Sequence, residues 1–136
     1  MRIIGIDYGD ARVGVAVSDP LGITAQGLET VPNKVYAKMF QRVCEIIKEY
    51  NADKIVIGLP KNMNGTLGER GEISKKFAEE IKEVFPDTEI ILWDERLSTV
   101  QAAGVLNVTN TRGRDRKNVI DTVAASIILQ SYLDSI

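Results

Sequence analysis

Residues 2–18 read Arg2-Ile3-Ile4-Gly5-Ile6-Asp7-Tyr8-Gly9-Asp10-Ala11-Arg12-Val13-Gly14-Val15-Ala16-Val17-Ser18. Arg2 to Tyr8 is apolar on both strand faces, the mark of a central strand covered from both sides. Gly9-Asp10-Ala11 is a tight turn, and Arg12 to Ser18 follows as a second strand. Val13, Val15 and Val17 share one of its faces, and Gly14, Ala16 and Ser18 the other. Two strands joined by so short a turn must pair antiparallel. The chain thus opens with a hairpin whose first strand is central and carries an acid, Asp7, near its end. An unpaired carboxylate among apolar neighbours is costly, so Asp7 needs a reason to be there.

Outward from this hairpin, Ile23 to Val31 reads as a third, weaker strand after the turn Pro20-Leu21-Gly22. The period then becomes helical. Asn33 is the expected cap of a helix through about Tyr50, with Val35, Met39, Phe40, Val43, Ile46 and Ile47 inward. Cys44 falls inside that pattern and reads as core. Ile55-Val56-Ile57-Gly58-Leu59 is a short buried strand ended by Pro60, followed by a glycine-containing loop and a helix from about Glu69 to Phe85. Ile90-Ile91-Leu92-Trp93 is another buried strand. Ser98 with Gln101 has capping-box spacing and starts a further helix. A last helix runs from about Asn118 to Asp134, with Val119, Ile120, Val123, Ala124, Ile127 and Ile128 inward. Buried strands linked through helices run parallel by right-handed crossovers. The fold class is therefore α/β: a mixed five-stranded sheet, strand order 3-2-1-4-5, with helices on both faces. No repeat or linker divides residues 1–136, and one domain is expected.

Composition removes several chemistries. The 136 residues include no histidine and one cysteine. Ser-His-Asp and Cys-His catalysis, imidazole-held metals, disulfides within the chain and thiolate zinc sites are excluded. Any metal must be held by oxygen, which favours Mg²⁺ or Mn²⁺. No apolar run approaches the roughly 18–20 residues that span a bilayer, and no signal-peptide pattern precedes the first strand. A cytoplasmic protein without a membrane partner is expected.

The C-terminal ends of the three parallel strands share one edge, where ligands bind in open α/β sheets. There the sequence puts Asp7, Gly58 and, just past the fifth strand, Asp94-Glu95. Strands one and five lie roughly 10 Å apart, so their acids can lean together if the residue between them lacks a side chain. Gly58 supplies that space. Asp121, one turn into the last helix, is followed by Ala124 and Ala125, which let the helix approach the sheet. Each acid has a plainer explanation, as a turn opener, a charged strand end or an acid suiting a helix dipole. Together, Asp7, Glu95 and Asp121 can form the oxygen-only cluster that two-metal phosphodiester hydrolysis requires.

The net charge of −2 hides an asymmetry. Residues 109–118 carry four positive charges and one negative, a net +3, which leaves −5 on the other 126. This loop brings Arg112, Arg114, Arg116 and Lys117 next to Asp121 as candidate phosphate contacts. Lys61 and Arg70, in the loop after the fourth strand, and Arg12 extend the candidate track.

These blocks resemble a known family. Gly5-Ile6-Asp7-Tyr8-Gly9 with Arg12-Val13-Gly14-Val15-Ala16-Val17-Ser18-Asp19-Pro20 is similar to the opening of the YqgF/RuvX family of Holliday-junction resolvases and ribosomal RNA-processing nucleases. Gly58-Leu59-Pro60 with Asn64-Gly65 and Gly68, Asp94-Glu95-Arg96-Leu97-Ser98-Thr99, and Ile120-Asp121 with Ala124-Ala125 and Leu129-Gln130 resemble its later blocks, in order, across nearly the whole chain. Asn64 departs from the acid more usual there, and Gln26-Gly27 from a proline-containing stretch. The resemblance implies a ribonuclease H-like fold and a nuclease with catalytic, metal-holding acids at Asp7, Glu95 and Asp121. It also implies a role in maturing the 5′ end of the small-subunit ribosomal RNA precursor.

The expected partner is nucleic acid, as structured RNA or branched DNA. A four-way-junction resolvase is the alternative enzyme, for which a homodimer is the natural assembly. A non-catalytic nucleic-acid-binding module is the alternative of another class, opposed by the retained acids. A phosphotransferase, suggested by Asp7-Tyr8-Gly9, would need a second lobe.

Overall fold

The structure is a computed structural model that describes the backbone of residues 2–97 and 113–136 and the side chains of residues 2–97 and 122–136. Strands β1 (Ile3–Asp7), β2 (Arg12–Ser18) and β3 (Ala25–Pro32) precede helix α1 (Tyr36–Glu49). Strand β4 (Lys54–Leu59), helix α2 (Glu69–Val84), strand β5 (Glu89–Asp94), a single 3₁₀ turn (Glu95–Leu97) and helix α3 (Gly113–Ser135) follow. The sheet order is β3-β2-β1-β4-β5. The hairpin pairs antiparallel with Asp7 opposite Gly14, and β1, β4 and β5 run parallel. The topology expected from the hairpin and the crossovers is the one found.

Strand alternation sorts the side chains into two cores. Ile4, Ile6, Val13, Val15, Val17, Ile55 and Ile57 pack against Met39, Val43, Ile46 and Ile47 of α1 and Phe77, Ala78 and Ile81 of α2. Ile3, Ala16 and Val56, on the other face, meet Ala125, Ile128, Leu129, Tyr132 and Leu133 of α3. On that second face Gly5, Ala16 and Gly27 are register partners across three strands. A Cβ at Gly5 would lie 2.7 Å from Leu129 Cβ, and one at Gly27 would lie 2.8 Å from Thr122 Cβ. The missing side chains are what let α3 lie directly on the strands. Gln130 then ties α3 to the entry of β3, accepting from Ala25 N–H at 2.9 Å and donating to the Ile23 carbonyl at 2.9 Å.

Several local expectations need correction. Asn33 does not cap α1. Its side chain donates to the Gly9 carbonyl and its N–H to the Ala11 carbonyl, each at 2.9 Å, so it clamps the β1–β2 turn and Val35 stands at the cap position. Val35 is consequently exposed and not inward. Strand β3 begins at Ala25 because Asp19 Oδ1 accepts from both Ile23 and Thr24 N–H, holding residues 19–24 in a turn. Strand β5 is not buried. As the sheet's edge it keeps every residue at least partly exposed. Of the inward residues expected for α3, Ile127 and Ile128 are buried and Val123 and Ala124 only partly so; Ala125, Leu129 and Tyr132 join the buried stripe, and the side chains of Val119 and Ile120 lie outside the described residues. Residues 113–118, expected as loop, are already helical, consistent with their helix-favouring Arg and Lys. The helix expected from Ser98 lies outside the described residues.

Candidate active site

Three elements end at one edge of the sheet. Asp7 closes β1, Gly58 stands one residue before the end of β4, and Glu95 follows directly on β5. Alternation aims Asp7 and Gly58 to the α3 side, because Gly5 and Val56, two residues earlier, face that helix. Gly58 pairs with Trp93, and the chain then bends into the 3₁₀ turn, which swings Glu95 back over β4.

The bend works only because Gly58 is glycine. A Cβ there would lie 2.6 Å from Glu95 Oε1 and 2.7 Å from Ile128 Cδ1. Glu95 uses that space to reach Asp7, and the two side chains are hydrogen-bonded to each other. The Glu95 carboxyl is pushed above its ordinary range, first by burial and further by Asp94, while the Asp7 hydrogen bond and the Arg70 charge pull the other way.

Asp94, the adjacent acid, has the opposite fate. Arg96 grips it with Nη2 at 2.7 Å from Oδ2 and Nε near both oxygens, and this pairing holds the carboxyl below its ordinary range. Arg96 also donates to the Met63 carbonyl at 3.4 Å, tying the loop after β4 to the end of β5. The sequence reading gave Arg96 no role. Its signal was the spacing Asp94-Glu95-Arg96, in which Arg96 takes Asp94 and Glu95 turns to Asp7.

Asp121 belongs to α3, four residues before Ala125. Because Thr122 lies over Gly27 and Gln130 over Ala25, α3 runs antiparallel to β3 and β1, so its earlier turns approach the edge that carries Asp7. The Asp121 side chain lies outside the described residues, as do those of Arg114, Arg116 and Lys117 and all of Arg112. Among the described residues no group of three acids forms a metal cluster. Of the other basic candidates, Arg70 stands in the first turn of α2, close enough to act on Glu95, and Lys61 acts on Asp94. Arg12 opens β2 on the same face as Gly14, the partner of Asp7.

Among the described residues no helix is long and apolar enough to cross a membrane.

Comparison with known proteins bears on the fold and the family. Two solved structures share the architecture over nearly the whole chain. Thermus thermophilus RuvC in complex with a Holliday junction substrate aligns with TM-score 0.65 at 14% identity, covering 99% of this chain and 96% of the other. The fowlpox virus resolvase, in complex with substrate Holliday junction DNA, aligns with TM-score 0.62 at 18% identity, covering 99% and 98%. The fold is ribonuclease H-like. Relatives from Bacillus cytotoxicus and Bacillus cereus, each named "Putative pre-16S rRNA nuclease", are 53% and 51% identical over 99% of both chains. The profile of the RuvX family, described as Holliday junction resolvase, matches residues 1–135. On that match and those identities, the chain belongs to the RuvX family.

Proposed function

We propose that this protein is a metal-dependent nuclease, one ribonuclease H-like domain over residues 1–136, that hydrolyses phosphodiester bonds in the precursor of the small-subunit ribosomal RNA at its 5′ end. The observation that carries the reading is the contact between Glu95 and Asp7 across Gly58 at the strand edge. Two carboxyl groups brought together form a site that a hard cation can occupy, and its binding is then coupled to their protonation. With no histidine in the chain, the donor set is oxygen alone and fits Mg²⁺ or Mn²⁺. Asp7 and Glu95 would hold the metal, with Asp121 as the third ligand from α3. Bound there, such ions supply Lewis acidity at the scissile phosphate, in the two-metal manner. Arg12, Lys61 and Arg70 around the edge, with Arg112, Arg114, Arg116 and Lys117 leading into Asp121, hold the flanking phosphates and orient the strand without touching the reacting bond. The cytoplasm is the compartment that fits this substrate.

The curated relatives at half identity favour RNA. A four-way DNA junction is the second reading, favoured by the description of the family. It would require a two-fold dimer to cut symmetrically.

The test is cleavage by purified protein, with Mg²⁺ or Mn²⁺, of a precursor RNA spanning that 5′ end and of a four-way DNA junction. Asp7→Asn, Glu95→Gln and Asp121→Asn are each expected to reduce cleavage by roughly 10⁴-fold, the scale for losing one member of a concerted catalytic unit. A folded Asp7→Asn protein that cuts with undiminished metal dependence would overturn the reading, and cleavage of the junction alone would move it to DNA.

A further inference from the structure

On the face of the sheet opposite Asp7, a cleft of about 350 Å³ is lined by Tyr8, Tyr36, Ile73, Lys76, Phe77 and Glu80. Its walls are aromatic. The Tyr8 and Phe77 rings lie 4.9 Å apart, and Tyr36 stacks on Phe40 at 5.9 Å. Its rim is polar: the Tyr36 hydroxyl donates to Glu80 Oε2, and the Lys76 ammonium stands exposed beside it. Tyr36 is 40% exposed, so its ring is available at the mouth.

Topology puts the cleft at the catalytic edge. Tyr8 follows Asp7 directly, about 3.8 Å on along the backbone. Helices α1 and α2 enter from the ends of β3 and β4 at that edge, and Tyr36 and Ile73 belong to their first two turns. The bonds from Asn33 to the Gly9 and Ala11 carbonyls fix the β1–β2 turn against the start of α1, so Tyr8 and Tyr36 are held in one rigid corner.

We propose that this corner is a base-binding subsite, which takes one unpaired nucleobase of the substrate strand next to the phosphate held at Asp7. The inference rests on the nucleolytic reading above. A nucleobase is the ligand whose chemistry matches all parts of the cleft. Its faces stack on Tyr8 and Tyr36, and its exocyclic amino group can donate to Glu80. Lys76 meets the adjoining phosphate. A base in a continuous duplex cannot enter without being unstacked, so the subsite selects a single-stranded or locally opened substrate.

The experiment measures KM and kcat of the full chain, with Mg²⁺, on a single-stranded RNA spanning the cleavage position. The same RNA is tested with an abasic nucleotide at each position flanking the cut, and as a perfect duplex. At one flanking position the abasic substitution is expected to raise KM roughly 5- to 100-fold, the loss of one base–aromatic stack, with a much smaller change in kcat. Tyr36→Ala should raise KM on intact RNA to the same degree, Tyr36→Phe should retain most of the affinity, and Tyr36→Ala on the abasic RNA should lose nothing more. Additive losses, an unchanged KM for Tyr36→Ala, or equal KM on duplex and single strand would overturn the subsite while leaving the nuclease in place. A parent protein that cuts no RNA would instead remove the nucleolytic reading and the subsite with it.

Discussion

The two faces of the sheet are built on different principles. On the α1/α2 side, Ile4, Ile6, Ile55 and Ile57 meet Phe77, Met39 and Ile81, and large side chains fill the gap between layers. On the α3 side the central row is Gly27, Ala16 and Gly5, and the helix lies on the strands themselves. The first face derives its stability from volume, the second from absence of volume. The second is also the face to which Asp7 is aimed. Close approach of α3 brings its early turns to the edge where Glu95 reaches Asp7, so on that face packing and site geometry are one constraint. On the other face they are separable.

The largest expected effect that tests this contrast is on activity, at Gly58. In Gly58→Ala the new methyl would meet Glu95 Oε1 and Ile128 Cδ1, both ends of flexible side chains. These can yield, so stability should fall by about 1–3 kcal/mol, the usual cost of overpacking. Glu95 cannot yield and still reach Asp7. Cleavage is expected to drop by roughly 10²-fold, the cost of about 1 Å of misplacement. Gly5→Ala is the control on the same face. Its methyl would meet Leu129 Cβ and the Ala125 carbonyl, which are rigid, so it should lose more stability than Gly58→Ala. Chemical denaturation beside a cleavage assay separates the two, and equal activity losses per kcal/mol at both glycines would break the distinction.

The next effect is on stability, from the opposite face. Ile81, fully buried against the sheet from α2 and away from the aromatic cleft, is expected to cost about 2–5 kcal/mol when replaced by Ala. If the faces are separable, the folded fraction of Ile81→Ala should keep a kcat within about twofold of the parent, on the scale where one factor of ten is about 1.4 kcal/mol. A kcat loss as large as that of Gly58→Ala would show that the α1/α2 layer also sets the acid geometry.

How much of this was legible in the sequence follows the same division. Residues 2–18 and the apolar runs at β4 and β5 carried the topology, because strand alternation and a short turn are local. Asp7, Gly58 and Glu95 were legible as a set, since parallel strands put their C-terminal ends on one edge. The misreadings arose where a distant partner decided the outcome. Asn33 looked like a helix cap until Gly9 and Ala11 claimed its hydrogen bonds. Arg96 had no visible role until its grip on Asp94 was seen. On α3 the small-residue row of the sheet brings Ala125 and Leu129 inward beside the expected Ile127 and Ile128, while Val123 and Ala124 stay partly exposed. The aromatic cleft joins Tyr8, Tyr36 and Phe77 from three separate segments, and no spacing within one segment announces it.

The smallest expected effect concerns Glu95 and pH. Its carboxyl is pushed upward mainly by burial, so the folded protein holds that proton more tightly than the unfolded chain. In the window from the ordinary glutamate range up to the raised folded value, the folded state binds more protons, and stability must fall as pH rises. Glu95→Gln removes the titration. Measured without metal, the variant should match the parent at the acid end of that window and exceed it above. Added Mg²⁺ should reverse the order, because the cation stabilises the parent by mass action and finds fewer ligands in the variant. Melting curves across pH, with and without metal, read both signs. If Glu95→Gln is instead less stable than the parent at every pH in the absence of metal, Glu95 is held by structural hydrogen bonds, and the α3 face owes its acids to folding and not to chemistry.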